Sequence, residues 1–240
     1  MSKKHMLYSI IAGVIILVAY IAYFHGSGQS YNAGFIVYIC LFLIAGQGWN
    51  LLGGYIGEVS FGHAVFFGIG AYTIALPTGY GLNIPMPLLI ILSMVTSGLF
   101  AWAISYPLLR IKGMNFLIGT FGLGIIFLNA FTSSQLLFAS QGTFLPFVQP
   151  SVLYPVIIGI TIAVVIFVSV LVKSSTGLSF KAVRDVPEAA QMIGINLYRT
   201  KTKALVIGAM ITGLAGAMYA LYSMHITPSA TFDTSISNDI

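Results

Sequence analysis

No Asp, Glu, Lys or Arg lies between Glu58 and Arg110, and none lies between Lys112 and Lys173. Uncharged stretches of that length leave few options. A soluble domain carries roughly 25% charged residues, whereas this chain is 6% charged and 58% hydrophobic, with a mean hydropathy of +0.98. Such a chain folds in a membrane. A membrane β-barrel would alternate polar and apolar residues in segments of about ten, while a spanning helix needs about 20 apolar residues in a row. The apolar runs here approach the helical length. The sequence therefore predicts an all-α integral membrane protein, a polytopic helical bundle of about seven spans, near 6–24, 34–52, 60–77, 86–108, 114–138, 152–172 and 204–224.

The net charge of +5 could suggest nucleic acid, but its placement argues against that. With the amino terminus inside, the inner segments hold Lys3 and Lys4, then Arg110 and Lys112, then Lys173, Lys181, Arg184, Arg199, Lys201 and Lys203, which is every one of the 10 Lys and Arg residues. The opposite loops hold none, and Asp233 and Asp239 fall in an outer tail. Cations gathered on one side set the orientation of a membrane protein, so no nucleic-acid partner is expected. Lys3 and Lys4 before an apolar run also fit a secretory signal, but the run exceeds the usual 7–15 residues and lacks a clear cleavage site. It is read as a retained first span, with the amino terminus cytoplasmic.

Between the second and third expected spans the chain is glycine-rich, with Gly53, Gly54, Gly57 and Gly62 beside Glu58 and His63. Non-helical backbone at membrane depth survives only where protein buries it or a wet cavity lines it, and transporters bind solutes at such interruptions. The region near 53–63 is thus a candidate interrupted helix. A tight turn with glycines for close packing explains the same residues. A second glycine-rich stretch, from Gly113 to Gly124, either packs against the first or joins a pathway. In the last expected span Gly208, Thr212, Gly216 and Ala220 recur every four residues, as do Ala209, Gly213 and Ala217. Ladders of small residues let helix backbones approach closely.

The charged insert from Lys173 to Lys203 must sit in water, and it contains a short helix with both ends marked. Asp185 is placed to cap the first amides and Glu188 to reach back three residues later, a capping box with Asp at the cap. Pro187 suits the first turn and Gly194 a left-handed stop. Val186, Ala189, Ala190 and Ile193 share one face at helical spacing, which suits docking against another protein.

Catalytic and metal-binding chemistry is not expected. The single cysteine, Cys40, has no partner within the chain, so it forms neither an internal disulfide nor a cysteine-rich site. The four histidines, His5, His25, His63 and His225, lack zinc spacing. No phosphate-loop motif occurs, so ATP is not bound by that route. Ionisable groups within spans are costly and tend to mark function. Only Glu58 and His63 lie near one. Glu58 reads either as a proton or cation site or as a loop carboxylate at the surface, and His63 either as a solute contact or as a packing residue.

The stretch NLLGGYIGEVSFGHAVFFGIGAYTIA, Asn50 to Ala75, resembles the signature of bacterial branched-chain amino-acid ABC-transporter permeases, on the M-type side of their two-permease pair. RIKGMNFLIGTFGLGII, Arg110 to Ile126, is similar to the family's next block. Glu188-Ala189-Ala190 and Gly194, continuing through GINLYRTKTKALVIGAMITGLAGAMYALY to Pro228, resemble its cytoplasmic coupling segment and following helix.

The resemblance implies a single transmembrane permease domain over residues 1–240, with 173–203 as its coupling segment, in a bacterial inner membrane. It implies a second permease subunit, two cytoplasmic ATPase subunits that bind the ATP, and an external substrate-binding protein, with lipid around the spans. Glu188, Ala189, Ala190, Ile193 and Gly194 would form the ATPase contact. Ser60, Gly62, His63, Thr120 and Glu58 are the candidate substrate path. The cargo implied is a branched-chain or related neutral amino acid; related permeases carry urea or short amides. An ATP-independent carrier using Glu58 and a non-transporting membrane scaffold are the rivals from other classes. Family members usually carry Gln at the position of Glu58. They also continue past the position of Ile240 with further spans, so a family member lacking its C-terminal spans is expected.

The charge distribution predicts opposite sidedness for two loops. Single cysteines at Gln141 and Ser179, in a background lacking Cys40, should react with an impermeant maleimide from opposite faces, Ser179 from the cytoplasm alone. Labelling of both from one face would contradict this topology.

Overall fold

The computed structural model describes residues 30–111, 113–133 and 142–232. Its elements are α1 (Ser30–Gly53), α2 (His63–Gly79), α3 (Met86–Leu108), α4 (Met114–Ser133), β1 (Thr143–Phe144), α5 (Pro150–Lys173), α6 (Ser175–Asp185), α7 (Pro187–Met192), α8 (Leu197–Ser223), β2 (His225–Ile226) and α9 (Pro228–Phe232). The all-α membrane bundle is as expected, and the strands form only a small antiparallel clip pairing Thr143 with Ile226 and Phe144 with His225.

The span count is corrected. Among the described residues five helices are long and apolar enough to cross a membrane: Gly34–Gly53 within α1, then α3, α4, α5 and α8. The expected 60–77 span is the 17-residue α2, and the expected 6–24 span lies outside the described residues. The reason for α2's shortness is the glycine-rich turn, which delays the helix to His63. Helix α8 errs in the other direction, beginning at Leu197 instead of near 204. Its first turns are charged because they stand outside the apolar layer, and Asn196 caps them by accepting a hydrogen bond from the Arg199 amide at 2.9 Å.

Helix α8 is the axis of the bundle, packing along α1, α2 and α3. Of its most apolar window 78% is buried, against 17% for α4. Its small-residue ladder is what permits this, and the ladder faces helices of the same chain. A Cβ at Gly48 of α1 would sit 2.4 Å from Thr212 Oγ1 and 2.6 Å from the Gly208 carbonyl oxygen. On α2, a Cβ at Gly70 would sit 2.0 Å from the Gly213 carbonyl oxygen, and one at Gly216 of α8 would sit 1.9 Å from that of Phe67. Helices meeting backbone to backbone gain dispersion contacts that larger side chains would hold apart.

One end of the bundle is charged and the other aromatic. At the aromatic end Phe232 of α9 stacks against Tyr72 at 5.5 Å between ring centroids and meets Phe131 at 4.5 Å, closing α9 onto α2 and α4. At the charged end Tyr198 meets Ser105 at 3.1 Å, and α6 packs against α5 and α8 with Gly177, Phe180 and Val183 buried.

The ladder makes a stability prediction. Gly216→Val forces side-chain atoms into the Phe67 backbone and should cost about 3 kcal/mol or more, the upper range for overpacking. Gly159→Ala, where a Cβ meets nothing, should stay within about 1 kcal/mol of the parent. Thermal unfolding in detergent distinguishes the two, and equal melting temperatures would contradict the packing account.

Candidate functional site

Helix α1 ends at Gly53 and α2 begins at His63, so residues 54–62 are a true interruption. Several of its backbone groups are paired locally and by neighbours, as buried amides and carbonyls require. The Gly54 and Tyr55 amides donate to the Asn50 carbonyl at 2.8 and 3.0 Å, and the Glu58 amide to Leu52 at 3.1 Å. Gly57 turns the chain with φ +84°, a conformation glycine adopts without the Cβ penalty. Trp49 Nε1 donates to the Ser60 carbonyl at 2.9 Å. The Gly62 amide donates to Ser60 Oγ at 3.1 Å.

The second glycine-rich stretch packs against the first. Thr120 of α4 accepts a hydrogen bond from the Phe61 amide at 3.1 Å and donates to the Leu117 carbonyl at 2.9 Å. A Cβ at Gly62 would lie 3.2 Å from Thr120 Cβ. Ser60, His63 and Thr120 are all buried. His63 sits edge-on to Phe66 at 5.6 Å, and neither of its ring nitrogens reaches a hydrogen-bond partner among the described residues. Four residues of the expected path, Ser60, Gly62, His63 and Thr120, are therefore gathered at one place, inside the protein.

Glu58 stands apart from them. Its carboxylate is ion-paired with Lys201 of α8, the two side chains being 16% and 17% exposed. Arg184, the penultimate residue of α6, donates to the Gly54 carbonyl at 2.6 Å. That carbonyl lies at the C-terminal end of α1, where the helix dipole favours a cation. Sequence reasoning counted Arg184 and Lys201 as topology cations and missed these contacts. The available signal was Glu58 itself, an acid at the rim of a span in a chain whose cations collect at one end.

The expected capping box is not formed. Val186, not Asp185, is the N-cap of α7, with φ −145° and no side-chain cap bond. Pro187 is the cause, since a residue before proline is pushed out of the helical region. Asp185 instead ends α6. The stop is as expected: Gly194 has φ +89°, its amide donates to Gln191 at 2.9 Å, and the Ile195 amide donates to Ala190 at 3.0 Å. Those two bonds are a Schellman motif.

The expected docking face is also divided. Ala190 is 2% exposed and turned into the chain, whereas Met192 is 91% and Ile193 75% exposed. Glu188, Ala189 and Gly194 lie on the surface. The presented tip is thus Glu188, Ala189, Met192, Ile193 and Gly194. Among the described residues no cluster of His, Cys, Asp or Glu could hold a metal ion.

A multi-pass bundle with a broken helix at its charged end, and a capped helical turn projecting beside it, has the form of a membrane permease. The family model of the branched-chain amino acid transport system permease component matches residues 31–238, and the chain belongs to that family. It is similar to the high-affinity branched-chain amino acid transport system permease protein LivM of Salmonella typhimurium strain LT2, at 25% identity covering 79% of this chain and 52% of that protein. The LivM protein of Escherichia coli K12 is 28% identical over the same shares. The chain spans about half the length of these curated relatives. No solved structure matches it.

The Thr120 contact can be tested by an isosteric change. Thr120→Val leaves the Phe61 amide unpaired and should cost about 1–3 kcal/mol, whereas Thr120→Ser should retain most of the stability. Thermal unfolding and amide exchange near Phe61 report it, and equal behaviour of the two variants would show that the hydroxyl does not hold the interruption.

Proposed function

We propose that this chain is the membrane-spanning permease subunit of an ABC importer for branched-chain or related neutral amino acids. It sits in a bacterial inner membrane with its charged end in the cytoplasm. It performs no covalent chemistry. A second permease completes the path, two ATPase subunits dock at the charged end, and an external binding protein delivers the solute. Its work is alternating access.

The observation that carries this reading is α7. Proline fixes its start, a left-handed glycine fixes its stop, and between them it holds Met192 and Ile193 out from the surface. Large apolar side chains exposed in an otherwise polar segment mark a protein contact. Their position outside the spans suits an ATPase on the cytoplasmic side. The nearly charge-free spans suit a zwitterionic or neutral solute, which needs no buried counter-charge. Glu58, engaged by Lys201, is not left free as a coupling site, which favours ATP drive over an independent carrier.

The test is substitution at the tip. Ile193→Asp and Met192→Asp should each reduce ATPase co-purification by about tenfold or more, the scale of an apolar anchor worth ~1.4 kcal/mol. Solute-stimulated hydrolysis should fall with it while the amount of chain in the membrane holds. Ala190→Arg should act differently, lowering thermal stability because Ala190 packs inward. Unchanged ATPase recovery and hydrolysis in both Asp variants would overturn the docking assignment.

A further inference from the structure

Two contacts tie the segment that carries α7 to the interruption between α1 and α2, one on each side of α7. Before it, Arg184 binds the Gly54 carbonyl, and its side-chain stem lies 3.3 Å from where a Cβ of Gly57 would be. After it, Lys201 binds Glu58. The short helix is thus slung between two anchors that both fall within residues 54–58.

We infer that Arg184, Glu58 and Lys201 are positioning residues that make the 54–62 loop the element driven by α7. This rests on the permease reading above and adds to it the route by which force at the charged end reaches the spans. A displacement of α7 is not absorbed within it, because its start and stop are fixed by Pro187 and by the Schellman bonds of Gly194 and Ile195. It must move Arg184 and Lys201, and through them Gly54 and Glu58. From the loop the movement passes to α1 through Trp49 on the Ser60 carbonyl and to α4 through the Phe61 amide on Thr120. Gly57, in its left-handed conformation, gives the loop a hinge at its centre.

The ion pair suits this use. Its two side chains are largely withdrawn from water, so salt screens it less than an exposed pair. Among the described residues Lys201 and Glu58 form the one ion pair, while the carboxylates of Asp185 and Glu188 sit at exposed positions. Reversal of either charge sets like charges against each other, and reversal of both restores attraction with the polarity exchanged.

The experiment uses the complete transporter reconstituted in liposomes, with Glu58→Lys, Lys201→Glu and the double exchange. Leucine imported per ATP hydrolysed is measured beside ATPase co-purification. Each single reversal should retain the ATPase, since the α7 tip is untouched, but lower leucine per ATP by about tenfold, equivalent to ~1.4 kcal/mol. The exchange should recover most of it. A purely structural role would lower protein recovery without changing the ratio, and a ratio unchanged in the single variants, or unrecovered in the exchange, overturns the inference. If the reversals fail to accumulate, Lys201→Met decides: it keeps most of the side chain's length and removes the charge and donor that hold Glu58, and a lowered ratio supports the clamp while an unchanged one refutes it. Failure of the permease reading is distinct, appearing as no ATPase recovery with the parent chain.

Discussion

Contact between helix backbones along α8 is the constraint on which the rest of this structure depends. Gly208, Gly213 and Gly216 bring α1, α2 and α3 against one axis at distances that leave no room for a Cβ. In lipid the hydrophobic effect does little to drive helices together, so packing of this kind and hydrogen bonds between helices must do so. With α1 and α2 both held to α8, the loop that joins them has its ends fixed. Its middle is then free to be positioned by other contacts: Thr120 on one side, Lys201 and Arg184 on the other. The site is consequently a product of the ladder.

Much of this was legible in the sequence because it depends on local rules. Uncharged runs fixed the class of fold, and α3 falls at 86–108 as its apolar stretch implied. Gly194 ends α7 because few other residues tolerate its backbone conformation. The small-residue ladder announced a helix contact, though not its partners. Three different helices meet glycines of the two ladders, Gly213 facing both α2 and α3, and nothing in a four-residue repeat says which.

What failed did so where a neighbour's geometry overrode a residue's own preference. Asp185 is a good cap by type, but Pro187 moved the cap to Val186. Ala190 shares a face with Ala189 on a helical wheel, yet in a helix of only six residues lying on a larger body, one flank is buried and the other is not. Glu58 reads from its sequence position as a loop carboxylate or a site, and neither reading shows its partner, Lys201, far along the chain. The interruption is a break between helices packed closely by its glycines, with Ser60, His63 and Thr120 buried beside it.

The central proposal is that this permease-family chain moves solute only when ATPase subunits act on its charged end. The most direct measurement is uptake of radiolabelled leucine into liposomes containing the chain and its second permease, with the ATPases and binding protein supplied or withheld. The account predicts accumulation against a gradient only when ATP, both ATPases and the binding protein are present. Concentrative uptake without the ATPases, driven by a proton or sodium gradient, would contradict it.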